Sequence, residues 1–589
     1  MPRKAKDAPK TTTQALGSLL KSARDIMRKD KGLNGDLDRL PLLTWIMFLK
    51  FLDDLERQRE DEATLSGKKF RPAIDPPYRW RDWAINPQGI TGDELLAFIN
   101  QDEAIRPDAT KGAGLFAYLR QLTNANGDDR REVIATVFKG VDNRMKSGYL
   151  LRDVINKVSD IHFTSSEELH TLGALYESML REMRDAAGDS GEFYTPRAVV
   201  RFMVAVTDPQ LGETVLDPAS GTGGFLVEAY NHLAAQVKTV QDRKTLQERS
   251  LLGCEPKSLP YLLCQMNLLL HGLNAPQIDP HNALRFKLTE IGEKDRVDVI
   301  LTNPPFGGEE EKGIQGNFPD DRQTAETALL FLQLIMRKLH RQPTSVGRTA
   351  RAAVIVPNGT LFGDGVCGRI KEELLKSFNL HTIVRLPQGV FAPYTDIPAN
   401  LLFFEAGGPT RDIWYYELPL PEGRKKYSKT APLQFEEFAP VLDWLKAREE
   451  GPQAWKVDFA AKRATALESA TPLWEKAEAE RSSSASLSRS IRELEQQLAT
   501  AIGSTGDRPA SLRDLKRQQQ AHDQAARTAQ AEGDVAYWPI YNLDLKNPNT
   551  RAGLEHANPK ALVASMRSQE AEVMRLLSEI EKLVAEVEA

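Results

Sequence analysis

The residues best placed to do chemistry lie in Asp298-Val299-Ile300-Leu301-Thr302-Asn303-Pro304-Pro305-Phe306. An apolar run of strand character delivers Asn-Pro-Pro-aromatic at its carboxyl end. A planar exocyclic amine, its lone pair delocalised into a ring, is a poor nucleophile until acceptors hold its two N–H bonds. The Asn303 side-chain oxygen and the Pro304 carbonyl can supply two such acceptors, since neither Pro304 nor Pro305 offers a competing N–H. Phe306 can stack on a base swung out of a duplex. Standing alone, the segment reads equally well as a rigid diproline loop closing a core strand.

Three further segments bear on cofactor binding. Val215-Leu216-Asp217-Pro218-Ala219-Ser220-Gly221-Thr222-Gly223-Gly224 runs from a strand through a glycine-rich turn into a helix. Glycines there let backbone approach a ligand without a Cβ in the way, and Asp217 with the helix start can hold the amino-acid part of a cofactor. The turn lacks the lysine of a phosphate loop, which disfavours ATP; its bland alternative is a tight strand–helix connection. Glu255, in Gly253-Cys254-Glu255-Pro256, ends the next strand, where a carboxylate can accept from both hydroxyls of a ribose. Glu192-Phe193-Tyr194-Thr195-Pro196-Arg197 precedes the sheet region. It reads as a helix entry with Thr195 as N-cap and Pro196 in the first turn, or as a lid over a cofactor.

Such strand ends must be brought together by an α/β scaffold. Thr214–Asp217, Leu251–Glu255, Val297–Asn303, Ala352–Pro357, His381–Pro387 and Asn400–Glu405 read as strands. Gly223–Ala235, Leu259–His271, Thr324–Leu339 and Gly368–Phe378 read as the helices between them. This alternation predicts a mostly parallel sheet covered on both faces, with its ligand outside the carboxyl ends of the strands. Around it we expect a basic disordered tail (1–13), a helical N-terminal domain (14–188) and the sheet domain itself (189–420). A mixed connecting region (421–474), a polar helical hairpin or insertion (475–533) and a C-terminal segment (534–589) follow. In the N-terminal domain Gln14–Met27 and Leu40–Leu55 carry helical apolar spacing, and Ser165–Glu168 starts a helix over His170–Ala186. A polar, Gly/Pro-rich connection around Ser66–Thr91 separates the early helices from the later ones. The hairpin shows a narrow stripe of Leu487, Ile491, Leu494, Leu498 and Ile502, broken near Gly503–Pro509. The last segment ends in an apolar seam within Pro559–Ala589 suited to packing along another helix.

The 589 residues are 41% hydrophobic and 27% charged, ordinary for a soluble protein. No apolar run is long enough to span a bilayer, the N-terminus lacks a secretory h-region, and three scattered cysteines suit a reducing compartment, so a cytoplasmic protein without a metal site is expected. The net charge is −5, whereas residues 1–31 carry nine Lys/Arg against three Asp. A protein gripping nucleic acid unaided would show a broader basic excess, so a partner is expected to supply much of any such grip.

In combination, Phe-x-Thr-Pro, Asp-Pro-x-x-Gly-Thr-Gly-Gly-Phe, Glu255 and Asn-Pro-Pro-Phe resemble the N6-adenine amino-methyltransferases. The pattern is most similar to the modification subunits of type I restriction–modification systems. The resemblance extends from Asp36–Glu56 to at least Glu405 and returns at Tyr541–Pro548. It implies a Rossmann-like class I methyltransferase domain with a helical N-terminal domain and a helical C-terminal extension. It further implies methyl transfer from S-adenosyl-L-methionine to adenine N6 in DNA, protecting the host's own DNA. Glu192, Phe193, Tyr194, Thr195, Pro196, Arg197, Asp217, Ser220, Gly221, Thr222, Gly223, Gly224 and Glu255 would line the cofactor site. Asn282 falls where a polar or acidic residue approaches the cofactor's adenine. Asn303, Pro304, Pro305 and Phe306 would receive a flipped adenine of double-stranded DNA, with Phe391, Tyr394 and Thr395 near its pocket. Two such chains would flank one specificity subunit, and a restriction/translocase subunit would join them. The alternatives are an adenine methylase of another phage-defence system, a protein-glutamine methyltransferase, cytosine-N4 chemistry, and a non-catalytic assembly or cofactor-sensing subunit. Cytosine-C5 chemistry is rejected for want of a Pro-Cys nucleophile.

Overall fold

The computed structural model describes residues 13–67, 69–123, 129–161, 195–363, 365–392, 395–428, 430–500 and 508–549. The basic tail, the helix expected over His170–Ala186, Glu192, Phe193, Tyr194, Tyr394 and the seam within Pro559–Ala589 lie outside the described residues.

The N-terminal part is helical, as its apolar spacing predicts. Helices Thr13–Met27 and Asp36–Leu65 pack with Leu115–Arg120, Asp129–Lys139 and Gly148–Ser159. A small hairpin, β1 (Glu103–Ile105) with β2 (Lys111–Ala113), sits among them. The Ser66–Thr91 connection is more than a polar linker. It contains a short helix, Trp80–Trp83, whose two tryptophans are buried, and Tyr78 stacks on Tyr118 at 3.9 Å. Aromatic burial of this size outweighs the polar composition around it.

The sheet has nine strands in the order β11-β10-β8-β9-β7-β6-β3-β4-β5. They are β3 (Val215–Asp217), β4 (Leu251–Cys254), β5 (Gln277–Asp279), β6 (Val299–Thr302), β7 (Arg351–Pro357), β8 (Phe378–Arg385), β9 (Ala399–Ala406), β10 (Asp412–Glu417) and β11 (Ala454–Asp458). All pair in parallel except at β9 and β11, which run against their neighbours. Alternate residues feed two separate cores. Val299, Leu301, Ala353 and Ile355 join helices Arg197–Thr207, Gly224–Ala234 and Ser258–Leu270, together with the N-terminal helices. Ile300, Ala352 and Val354 join helices Thr327–Lys338 and Val366–Ser377. Burial on both faces is what makes these strands continuous apolar runs.

Two boundaries differ from expectation. The sheet continues past residue 420, because β11 adds to its edge. The hairpin is also longer than 475–533: Phe459–Thr500 packs along Arg508–Tyr537. Its inner face is set by small residues, with Ala466, Ala470, Ala477, Ser484, Ala526 and Ala529 buried. A Cβ on Gly533 would fall 2.6 Å from Trp474 Nε1, so the helices touch closely there. Within the leucine–isoleucine stripe Ile491 is buried and Leu487 and Leu494 are half-buried, whereas the side chain of Leu498 and the whole of Ile502 lie outside what is described. Alanine is a weak apolar signal, which hid the start of the hairpin. After it, the chain returns to the sheet: Leu543 N donates to Leu361 O (2.9 Å) and Tyr415 Oη donates to Leu543 O (3.1 Å).

Candidate active site

Strand order reverses between β3 and β6: the chain moves outward one way through β4 and β5, and the other way through β6 and β7. Loops leaving such a point diverge and open a crevice at the carboxyl ends. Asp217 ends β3 and Asn303 follows β6, so two of the predicted segments meet at this crevice. Glu255 follows β4 beside them.

The glycine turn is held by two hydrogen bonds that Ser220 donates. Ser220 N donates to Cys254 O (2.9 Å) and Ser220 Oγ donates to Asp217 O (2.8 Å). Gly223 caps helix Gly224–Ala234 at φ +80°, and a Cβ there would sit 2.9 Å from the Cys264 sulfur. Both the left-handed backbone and the space demand glycine. Glu255, buried, accepts from Gly221 N through Oε2 (2.9 Å) and from Lys257 N through Oε1 (2.9 Å). It therefore braces the turn as well as facing the crevice.

Asp217 is 1% exposed. Its Oδ1 accepts from Ala219 N (3.1 Å), while Oδ2 has no hydrogen-bond partner. Burial pushes its carboxyl up to about 7; the Thr302 hydroxyl and Ala219 amide pull the other way, and the Glu255 charge adds to the push. The Thr302 hydroxyl is itself without a hydrogen bond of normal geometry. The carboxylate oxygen and the hydroxyl interact with each other without a well-formed hydrogen bond, so both keep capacity for a ligand at the strand end. With the glycine turn and helix start beside them, they fit the ammonium and carboxylate groups of an amino-acid moiety.

Asn303 is half-buried, and its Oδ1 is buried without a partner. Its Nδ2 donates to Thr195 Oγ1 (3.1 Å), a residue 108 positions earlier. Thr195 is thus not the N-cap expected of it. Pro196 takes that position for helix Arg197–Thr207, because Val199 N and Val200 N both donate to Pro196 O. Arg197 Nη1 donates to Gly224 O (2.7 Å), bracing this helix against the glycine turn. Pro304 is buried, Pro305 half-buried, and Phe306, half-buried, meets the edge of Phe391 at 5.7 Å between centroids.

Asn282 caps the short helix Ala283–Arg285 by accepting from Leu284 N (2.9 Å), and donates to Glu310 Oε2 (3.3 Å). Sequence reading missed Thr302 and the Thr195–Asn303 bond. Nothing local marks a threonine that reaches across the fold. Cys264 and Cys254 are poor nucleophiles, because burial raises the first well above its ordinary value and pushes the second up to about 12. Among the described residues no group of three or more His, Cys, Asp or Glu could hold a metal ion, and no helix is long and apolar enough to cross a membrane.

Residues 167–481 match the family model of N-6 DNA methylase, and residues 16–158 match the HsdM N-terminal domain. The chain is 49% identical to the type I restriction enzyme EcoEI methylase subunit of Escherichia coli over 75% of its own length and 87% of that protein. It is 71% identical to the crystal structure of a type I restriction enzyme modification subunit from Vibrio vulnificus, with a TM-score of 0.73, covering 77% of this chain and 94% of that one. A chain from a structurally characterised type I restriction–modification system matches at 35% identity and a TM-score of 0.65 across 97% of this chain and 99% of its own. A family model that matches more than half of the chain, together with 49% identity over most of a methylase subunit, shows that the chain belongs to the N-6 DNA methylase family, among the methylase subunits of type I restriction enzymes.

Proposed function

We propose that this chain transfers the methyl group of S-adenosyl-L-methionine to N6 of an adenine in double-stranded DNA, as the methylase subunit of a type I restriction–modification complex. The observation that carries the reading is the buried, unpartnered Asn303 Oδ1 beside the glycine turn. That oxygen and the Pro304 carbonyl accept the two N–H bonds of the adenine amine, which favours a more tetrahedral nitrogen with an available lone pair. Phe306 supports the extruded base, itself steadied by Phe391. Asp217, Ser220 to Gly224, Glu255 and Asn282, with Glu192 to Tyr194, Pro196 and Arg197 ahead of them, hold the cofactor, and Thr195 sets the Asn303 amide. Bound there, S-adenosyl-L-methionine supplies an electrophilic methyl sulfonium. Alignment by these residues supplies most of the remaining acceleration.

Two copies with one specificity subunit, joined by a restriction subunit, form the working assembly. The chain's net charge of −5 fits a subunit that shares its DNA grip with another chain. The test is methylation of duplex DNA by the chain co-expressed with its specificity subunit. We expect N6-methyladenine at a defined site. Label on protein amides instead of DNA would replace this reading with a protein-glutamine one, and no transfer by the assembled complex would end it.

The Thr195 hydroxyl yields a finer prediction. Thr195→Val removes the acceptor that orients the Asn303 amide, and with it the constraint that leaves Oδ1 free to accept from the adenine amine. Methyl transfer is expected to slow by about 10- to 100-fold, with cofactor affinity within about threefold and most activity restored in Thr195→Ser. A cofactor affinity that falls in step with the rate, unrescued by serine, would instead assign the hydroxyl to the cofactor pocket.

A further inference from the structure

The loops around the crevice differ in charge. The segment after Phe306 carries Glu309-Glu310-Glu311, with Glu309 and Glu311 exposed. A polyanion is repelled on that side. At the same edge of the sheet, the loop following β10 carries Glu422-Gly423-Arg424-Lys425-Lys426, three consecutive cations and one acid in a chain whose overall charge is negative.

This basic turn is tied to the target pocket by packing. Arg424 N donates to Pro421 O (3.0 Å), closing the turn. The next residue but two, Tyr427, is fully buried; its N donates to Gln388 O (3.0 Å) and its hydroxyl donates to Glu437 Oε2 (2.6 Å). Gly389, at φ +82°, passes so close that a Cβ would lie 2.2 Å from Tyr427 O. Two residues further on is Phe391, whose ring meets Phe306. The path from the target base's floor to the cations is therefore short and rigid: Phe306, Phe391, Gly389, Tyr427, turn. Lys425 is exposed and has no ion pair among the described residues. Lys426 meets Asp396 at 3.2 Å with both side chains more than half exposed, a pair that phosphate can displace. The Arg424 guanidinium lies 5.1 Å over the Tyr427 ring, which orients it at the surface.

We propose that Arg424, Lys425 and Lys426 form a phosphate clamp of this chain, gripping the DNA backbone beside the extruded base. The proposal rests on the adenine-methylation reading above. It assigns this subunit a grip of its own in addition to the partner's. Contacts of this kind position the duplex without reading sequence.

The test uses the assembled complex with its specificity subunit and measures duplex affinity from about 50 to 200 mM salt. In Arg424→Gln/Lys425→Gln/Lys426→Gln the slope of log affinity on log salt is expected to shallow by about 2 to 3, at about 0.9 per phosphate released. Affinity at the low-salt end should fall about 10- to 100-fold, alike for target and non-target duplexes, with cofactor affinity unchanged. The single exchange Lys425→Gln, at a solvent-facing position, should shallow the slope by about 1 without touching the packing. Slopes equal to wild type in both variants overturn the proposal. So does an unchanged slope with weakened capture of the specificity subunit, which would make the turn a protein-docking surface. Failure of the wild-type complex to methylate adenine, by contrast, would strike the pocket reading and leave the slopes to be read separately.

Discussion

Asn303→Ala is expected to cut methyl transfer by about 10³-fold, while cofactor affinity stays within a few-fold. The expectation follows from where Asn303 stands. Its side-chain nitrogen donates to Thr195, and its oxygen is buried without a hydrogen-bond partner at the carboxyl end of β6. Removing it deletes one of two acceptors for the amine and leaves the strand above it, with Val299, Ile300 and Leu301 fully buried, untouched. An acceptor engaged mainly as the nitrogen becomes tetrahedral stabilises the transition state more than the ground state, so the loss falls on kcat and not on KM. Single-turnover kinetics with preformed cofactor complex would measure it. Parallel loss of cofactor binding and activity would show that Asn303 holds the loop together and does not polarise the amine.

The second large effect is on stability and depends on pH. Asp217 is buried with an unpaired oxygen, and its carboxyl is pushed up to about 7 by that burial. An unfolded chain titrates the same group near about 4. Between those values the folded protein holds the proton and the unfolded chain does not, so stability falls as pH rises through the window. Below about pH 4 the two states are protonated alike and the penalty vanishes; above about pH 7 it is fully present, on the order of 3–4 kcal/mol before relaxation. Asp217→Asn keeps the shape and removes the charge. We expect it to raise the melting temperature of the cofactor-free protein by several degrees at pH 8 and by about a third as much at pH 5, while weakening cofactor binding. An equal shift at both pH values would show that the gain comes from packing and not from the carboxylate. On the proposed reading, the cationic group of a bound cofactor would compensate this destabilising charge.

Much of this protein is readable before any coordinates. The six core strands expected from apolar runs all form, within about three residues of their expected ends, because a strand buried on both faces must be apolar throughout. The glycine turn and the Asn-Pro-Pro-Phe loop fall at carboxyl ends, because βα connections put them there. Edge strands were harder. β5 has only three residues, and β11 reads Ala-Trp-Lys-Val-Asp; each exists because a neighbour offers a ladder, a context local propensity does not record. The hairpin's first turns were hidden for a related reason, since alanines become a core only when a second helix with Gly533 comes close enough to touch them.

Residue types and their order determined which chemistry this chain could attempt: an amide oxygen after a strand, glycines after another, an acid after a third. Which atoms face the reaction was decided only in three dimensions. The hydroxyl of Thr195 turns the Asn303 amide, Glu255 stiffens the glycine turn, and burial, not residue type, sets the charge of Asp217. Hydrogen bonds and dielectric surroundings belong to neighbours in space, and here those neighbours are separated by 108 and 34 positions along the chain.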